Sequence, residues 1–271
     1  MRLSFYTYSY TDRQNLSIAD CLARIAKIGY AGIDESGTFG RSEDPASVTT
    51  ERRKLIRDTA RRHRLRVEAL ITHAELTRTL TTSSPLDLKG SIDLAMDLGA
   101  SVVTFHMGGQ QPGLSEQDLW SKTVEWVRSA ARYAESKHVA LAVDGIWPPW
   151  IVNSPDTLAK MFDEVSSPAF GVNFDPCYLV LMGEDPVRFA RRFSSRIWHA
   201  HLKDHVGKYP NWEHRIPGQG EMNYAPIFAA LARAKFKGSM AVECFTDMKF
   251  EEACDAGFAA MTAALRKAGV P

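Results

Sequence analysis

The sequence has no apolar run approaching the ~18 residues of a membrane-spanning helix, so no span is expected. Its opening, MRLSFYTYSYTDR, offers neither a long apolar core nor a small-residue cleavage site, and no secretory leader is expected. Neither charge dominates: 33 Lys and Arg stand against 32 Asp and Glu, a net charge of +1. A protein that grips a phosphate backbone shows a basic excess or stripe, so nucleic acid is not an expected partner. The one dense basic stretch is Arg52–Arg53–Lys54, continuing through Arg57, Arg61, Arg62, Arg64 and Arg66. It recurs at helical spacing and reads as a solvated helix face. Cysteine is scarce, with Cys21, Cys177, Cys244 and Cys254 and no CxxC pair. In a chain expected to be cytoplasmic these read as free thiols. No GxxxxGK[ST], no GxGxxG after the first strand, no GxSxG and no HExxH occurs. Gly108–Gly109 is therefore not a phosphate loop, and no nucleotide cofactor is expected.

What is present is a rhythm. Short β-rich runs are expected at Leu3–Tyr8, Gly32–Asp34, Val67–Ile71, Val102–His106, Ala140–Asp144, Phe170–Asp175, Ile197–Leu202 and Met240–Cys244. Between and after them the pattern predicts helices over Ile18–Ile28, Thr50–His63, Pro85–Leu98, Glu116–Lys137, Pro155–Val165, Pro186–Phe193, Pro226–Ala234 and Phe250–Lys267. Ser17 is placed to cap the first helix and Gly29 to stop it. Eight strands, each followed by a helix, argue for parallel strands with crossover helices closed into a (β/α)₈ barrel, the TIM-barrel class of α/β fold. No linker or composition shift divides residues 1–271, so one domain is expected. The longest irregular segments, Gly108–Gly113, Gly145–Asn153 and Asp204–Tyr224, follow strands four, five and seven. That places them on the face where barrel active sites form.

Polar residues recur where the strands end. LAVDG closes on Asp144, GVNFDP on Asp175, WHAHLKD brings His199, His201, Lys203 and Asp204, and MAVEC brings Glu243. Buried carboxylates are costly unless paired or bound to metal. A cation with one imidazole would resolve the repulsion among acids at one mouth, which gives Asp144, Asp175, His201 and Glu243 as a candidate ligand set. The competing reading is that each acid caps a helix or meets a core Arg. Oxygen donors with one nitrogen suit Mn²⁺, with Mg²⁺, Co²⁺ or Zn²⁺ also open. Strand alternation points His199 and His201 to the same side, with Ala200 toward the helices. His106 ends strand four as a donor, a base or a packed structural residue. Glu68 reads as a salt-bridge partner rather than a site residue. His73 is a candidate substrate contact, and Lys203 a candidate for neutralising an oxyanion. Trp147, Trp150 and Trp212 sit in the long loops, where aromatic faces stack on sugar rings or serve as local staples.

HLKD at 201–204, RIPGQG at 215–220, GVNFDPCY at 171–178 and MAVEC at 240–244 resemble the xylose isomerase-like barrel superfamily. That group includes sugar epimerases, hydroxypyruvate isomerases and inosose dehydratases. The resemblance implies metal ligation by the residues at Asp144, Asp175, His201 and Glu243, with Arg215 contacting substrate or a metal-bound water. It also implies that the outer acids, Asp144 and Glu243, move the substrate proton. Two positions depart from the pattern. Asp144 stands where the family has Glu, and Tyr178 where it often has a His that contacts substrate.

The expected activity is a metal-dependent sugar isomerase or epimerase working by proton transfer next to a carbonyl. The alternative is a lyase on the same site, a keto-cyclitol dehydratase or a deglycosidase of 3-keto C-glycosides, with Tyr178 or His106 as the acid. A small sugar or keto-sugar is the expected partner. Assembly as a homo-oligomer, or with a small second subunit, stays open. A nuclease of the same superfamily would need a richer set of His and acidic ligands, and a binding module without turnover is the remaining reading.

Overall fold

Leu3 and Phe5 pack outward into the main hydrophobic core, whereas Tyr6 joins a small inner cluster with Ala69, Ile71, Ala142 and Ala241. The same parity runs from strand to strand and sets the architecture. In this computed structural model, which describes residues 1–11, 16–36, 44–80, 86–245 and 247–270, eight parallel strands close into a barrel. They are β1 (Arg2–Tyr6), β2 (Gly32–Glu35), β3 (Arg66–Glu75), β4 (Val102–His106), β5 (Ala140–Asp144), β6 (Phe170–Phe174), β7 (Ile197–Leu202) and, after an inserted hairpin, β10 (Ser239–Val242). The hairpin is β8 (Asp204–Lys208) and β9 (Asn211–Arg215), paired antiparallel. β10 closes the ring on β1, with Phe5 opposite Val242.

The helices in chain order are α1 (Tyr8–Thr11), α2 (Ile18–Ile28), α3 (Thr50–Arg62), α4 (Leu76–Thr79), α5 (Leu88–Leu98), α6 (Glu116–Lys137), α7 (Pro155–Val165), α8 (Pro176–Leu181), α9 (Pro186–Arg192), α10 (Tyr224–Arg233) and α11 (Phe250–Lys267). No helix among the described residues is long and apolar enough to cross a membrane. Gly29 ends α2 in the left-handed region, at φ 117°, where a Cβ is disfavoured. Ser17 precedes α2 but makes no side-chain cap bond, so that part of the sequence reading is corrected. Thr49, Asp87, Ser115 and Ser154 do cap α3, α5, α6 and α7 through their side chains. With Asp87 as cap, α5 begins at Leu88 rather than at Pro85, which lies outside the described residues. The basic stretch lies largely on α3, where Arg53 pairs with Asp97 and Lys54 with Asp58.

The one-turn helices α1 and α4 went unread in the sequence, and so did two elements near the mouth. The segment after β7 is a hairpin rather than an irregular loop, because Val206 and Glu213 pair across it and Gly207 takes a φ of +86° at its narrowing. The short helix α8 follows β6 because Asp175 caps it and Pro176 opens it. Glu68 pairs with Arg2 at 2.8 Å, as the sequence reading holds.

All four cysteines are free and buried. Burial pushes every one of these thiols upward, Cys21 to about 12. A thiol reagent at neutral pH should therefore titrate none of them in the native protein and all of them in denaturant. Rapid labelling of the native protein would contradict this packing.

Candidate active site

The inward parity that makes the barrel floor also makes its mouth. Asp144 ends β5 in register with Asn173 of β6, which brings the amide against the carboxylate. Asn173 Nδ2 donates to Asp144 Oδ1 at 2.7 Å, and His106 Nε2 lies 2.9 Å from Oδ2. Both oxygens of Asp144 are thus engaged. Burial pushes this carboxyl up, but the charge of His201 and the contact with His106 outweigh it and hold it well below the usual carboxylate range.

β7 supplies His201 and, one step beyond its end, Lys203. Each is about 1–2% exposed, so their charges act with little solvent screening. Lys203 Nζ lies 2.5 Å from Asp175 Oδ2 and 2.7 Å from Glu243 Oε2. Burial alone would discharge this ammonium; Asp175 and Glu243 keep it protonated well above the ordinary lysine range. Asp175 Oδ1 accepts from the backbone N–H groups of Cys177 and Tyr178, capping α8. The ring of Tyr178 lies 4.6 Å from Lys203 Nζ, a cation–π contact. His201 Nδ1 is 2.8 Å from Glu243 Oε2 and 3.7 Å from Asp144 Oδ1. Burial depresses this imidazole, but Glu243 and Asp144 reverse the effect and raise it to about 10. Burial likewise raises Glu243, and Lys203 and His201 bring it down to about 2.

Beneath this ring lies a second, fully buried group. Asp34 Oδ2 sits 2.6 Å from His199 Nε2 and 3.5 Å from His201 Nε2. Among the described residues, Asp34, His199 and His201 bring their ligating atoms within 4.8 Å of one another. The Asp34–His199 separation is that of a direct hydrogen bond.

The mouth opens into a cavity of about 490 Å³, in the range that admits a small sugar. His73, His106, Asp144, Trp147, Tyr178, His201, Lys203 and Glu243 all line it; Asp175 lies behind Lys203, outside the lining. Trp147 packs on Tyr178 and Trp212, at centroid separations of 4.7 and 5.6 Å, and makes one wall. His73 stacks on Tyr8 at 3.9 Å and reaches the Tyr6 hydroxyl at 3.0 Å, which makes another. Arg215 is half exposed on β9 and pairs with Glu213 at 2.6 Å, not among the lining residues. A larger groove, about 890 Å³, lies at the opposite end of the barrel around Arg2, Trp198 and Phe236, and it holds no comparable acid and base cluster.

Three residues of this site escaped the sequence reading. Asn173 and Asp34 are single polar positions inside short apolar strands, and their parity with Asp175 and the other inward residues was the available signal. Asp204, seen only as part of HLKD, explains the pairing of that motif with RIPGQG. Its carboxylate accepts from the backbone N–H groups of His205, Gly218, Gly220 and Met222. A Cβ at Gly220 would lie 2.3 Å from Asp204 Oδ1, so glycine is required there.

The residues at the mouth suit a divalent cation. Glu243 Oε2 lies 2.8 Å from His201 Nδ1 and 2.7 Å from Lys203 Nζ, and neither ring nitrogen of His201 makes a well-aligned hydrogen bond. The carboxylates of Asp144 and Glu243 line the cavity with this one imidazole, a donor set for a hard or borderline metal.

The family described as xylose isomerase-like TIM barrel matches residues 22–265. This chain belongs to that family. An inosose dehydratase of Bacillus cereus (strain AH820) is 22% identical over 183 residues, 57% of this chain and 61% of that protein. The chain thus spans about three fifths of the length of that curated relative. The fold matches a crystal structure of IOLI protein with a bound zinc atom, at TM-score 0.78, 18% identity and coverage of 98% and 99% of the two chains. It also matches L-ribulose 3-epimerase at TM-score 0.78, 16% identity and coverage of 99% and 95%. The chain is thus similar in sequence to a dehydratase and in fold to a sugar epimerase.

Two outcomes follow. Ligation needs the neutral imidazole, and His201 is raised to about 10, so Mn²⁺ uptake at neutral pH should release about one proton. Apparent affinity then climbs with pH up to about 10, which calorimetry in buffers of different ionisation enthalpy would check. Separately, Asp204→Ala strands the buried N–H of His205 and three part-buried N–H donors and should cost on the order of 2 kcal/mol in urea unfolding.

Proposed function

We propose that this protein is a divalent-metal-dependent lyase that removes water from a keto-polyol by proton abstraction next to the carbonyl. The observation that carries the reading is the state of Asp144. An epimerase that exchanges a proton on both faces of one carbon needs two free bases. Here both Asp144 oxygens are tied up by Asn173 and His106, and its short arm is held far into the ionised range. Glu243, by contrast, lines the cavity with only Oε2 engaged, by Lys203 at 2.7 Å and His201 at 2.8 Å. Burial raises its carboxyl, but Lys203 and His201 bring it down to about 2, so it is ionised throughout the neutral range and open to accept a proton.

The steps then fall to named side chains. Asp144, His201 and Glu243 would hold the metal, which would supply polarisation of the substrate carbonyl, while Asp175, a ligand candidate in the sequence, is taken up by Lys203 and the start of α8. Glu243 takes the α-proton, and the electron pair moves toward the carbonyl oxygen, where the buried ammonium of Lys203 offsets the developing charge. The pair returns to form the C=C bond, the β C–O bond breaks, and His106 gives the departing hydroxyl its proton. The Asp144 carboxylate, 2.9 Å from His106 Nε2, holds the ring in place for that transfer. Trp147, Tyr178 and His73 bound the sugar-sized space. Similarity to an inosose dehydratase supports the reading. The epimerase reading is kept because the same first proton transfer begins it.

The test uses Mn²⁺-loaded protein with a panel of inososes and ketoses in D₂O, followed by NMR. Elimination should yield an unsaturated ketone or its dione tautomer. Glu243→Gln should lose both elimination and α-exchange, by roughly 10²–10⁴-fold or more. His106→Gln should lose elimination by about 10²-fold while keeping α-exchange. A deuterated epimer or isomer with no elimination would replace this reading with the epimerase.

A further inference from the structure

We infer that Asp34 is a positioning residue: it holds the metal-facing imidazole of His201 in the orientation and tautomer that leave Nδ1 free for the mouth, and His199 locks Asp34 in place. The inference rests on the proposed metal site, because His201 must face the metal for its orientation to matter.

The His201 ring has two distinct sides. Nδ1 faces Glu243 and Asp144, at 2.8 and 3.7 Å. Nε2 faces inward to Asp34 Oδ2 at 3.5 Å and has no hydrogen-bond partner of its own. Both nitrogens point at carboxylates, and with Nδ1 given to the metal Asp34 is the acceptor that keeps the proton on Nε2. Imidazole ligands are commonly oriented in this way through the nitrogen away from the metal.

Asp34 is fixed well enough to serve. It is fully buried on β2, a strand of four residues, and no solvent competes for its oxygens. Ser4 Oγ donates to Oδ1 at 3.2 Å, and His199 Nε2 lies 2.6 Å from Oδ2. Burial pushes its carboxyl up, but His199 and His201 outweigh that and bring it below the ordinary aspartate range. His199 stands edge-on to His201, with ring centroids 5.4 Å apart and planes at 90°. Both rings therefore address one oxygen from different directions. In register terms, β7 carries the two histidines on its inward face two residues apart, and the strand-two carboxylate crosses the barrel to meet them. A lone buried Asp–His pair would satisfy burial by itself. The approach of the second ring to the same oxygen is what connects the pair to the mouth.

The experiment compares Mn²⁺ affinity in wild type, Asp34→Asn and His199→Gln by calorimetry. A second readout is ¹⁵N-histidine NMR of the Zn²⁺-loaded proteins, which reports the His201 tautomer. Asp34→Asn should bind Mn²⁺ roughly 10–100-fold more weakly. The Nε2–H signature of His201 should be lost with it. His199→Gln should move affinity in the same direction by at least about fivefold. Should Asp34→Asn fail to fold, His199→Gln decides alone. Variants that fold and bind Mn²⁺ within twofold of wild type overturn the inference, even where their melting temperatures fall. No metal binding by wild type would instead overturn the site reading on which it depends.

Discussion

The crowding of like charge at the barrel mouth is the constraint on which the rest of the site depends. Asp144, Asp175 and Glu243 come from three strands and converge where water is largely excluded. In such surroundings three bare carboxylates would not stay ionised. The chain supplies an ammonium at Lys203, an imidazole at His201 and amide donors from Asn173 and the start of α8. Each carboxylate ends up in a different state. Asp175 is paired with Lys203 and caps α8, Asp144 is hydrogen-bonded on both oxygens, and Glu243 is engaged on Oε2 alone at the cavity. The division of labour proposed for them follows from those surroundings, since their side-chain chemistry is nearly the same.

The same economy explains why the inner layers of the barrel are polar. Ser4, Asp34, His199 and Asn173 occupy inward positions that could have been filled by Val or Leu. Each costs desolvation, and each has a hydrogen-bond partner among the others or in the ring above. The small side chains Ala69, Ala142 and Ala241 leave room for them. The barrel is held together by its outer core of Leu, Ile, Val and Phe against the helices. That frees the interior to carry chemistry.

The fold was legible because alternation in β7 and β10, glycine and cap signals, and the strand–helix rhythm all point one way. The mouth residues were legible because each acid closes an apolar strand. Asn173 and Asp34 were not, since a single polar residue within a strand looks the same from sequence whether it faces solvent, a cap or a charge. Only the register of β5 with β6 puts Asn173 beside Asp144. The hairpin went unread because its alternation is weak and its residues, HVGKYPNWEHR, are mostly polar. Arg215 illustrates the reverse case: a motif neighbour whose side chain pairs with Glu213 on the same strand.

That hairpin sits on the mouth like a cassette. It is clamped at its base by Asp204, which gathers four backbone N–H groups, while its outer portion carries Tyr209 and Trp212 toward Trp147. The clamp uses main-chain partners, so the outer residues are free to vary without disturbing it. The chemical ring is anchored in the strands below and does not draw on the hairpin tip. Change in the tip can therefore reshape what the cavity admits while the proton-moving groups stay put. A scaffold partitioned in this way lets a lineage explore new substrates by drift at its rim and keep one inherited reaction at its centre.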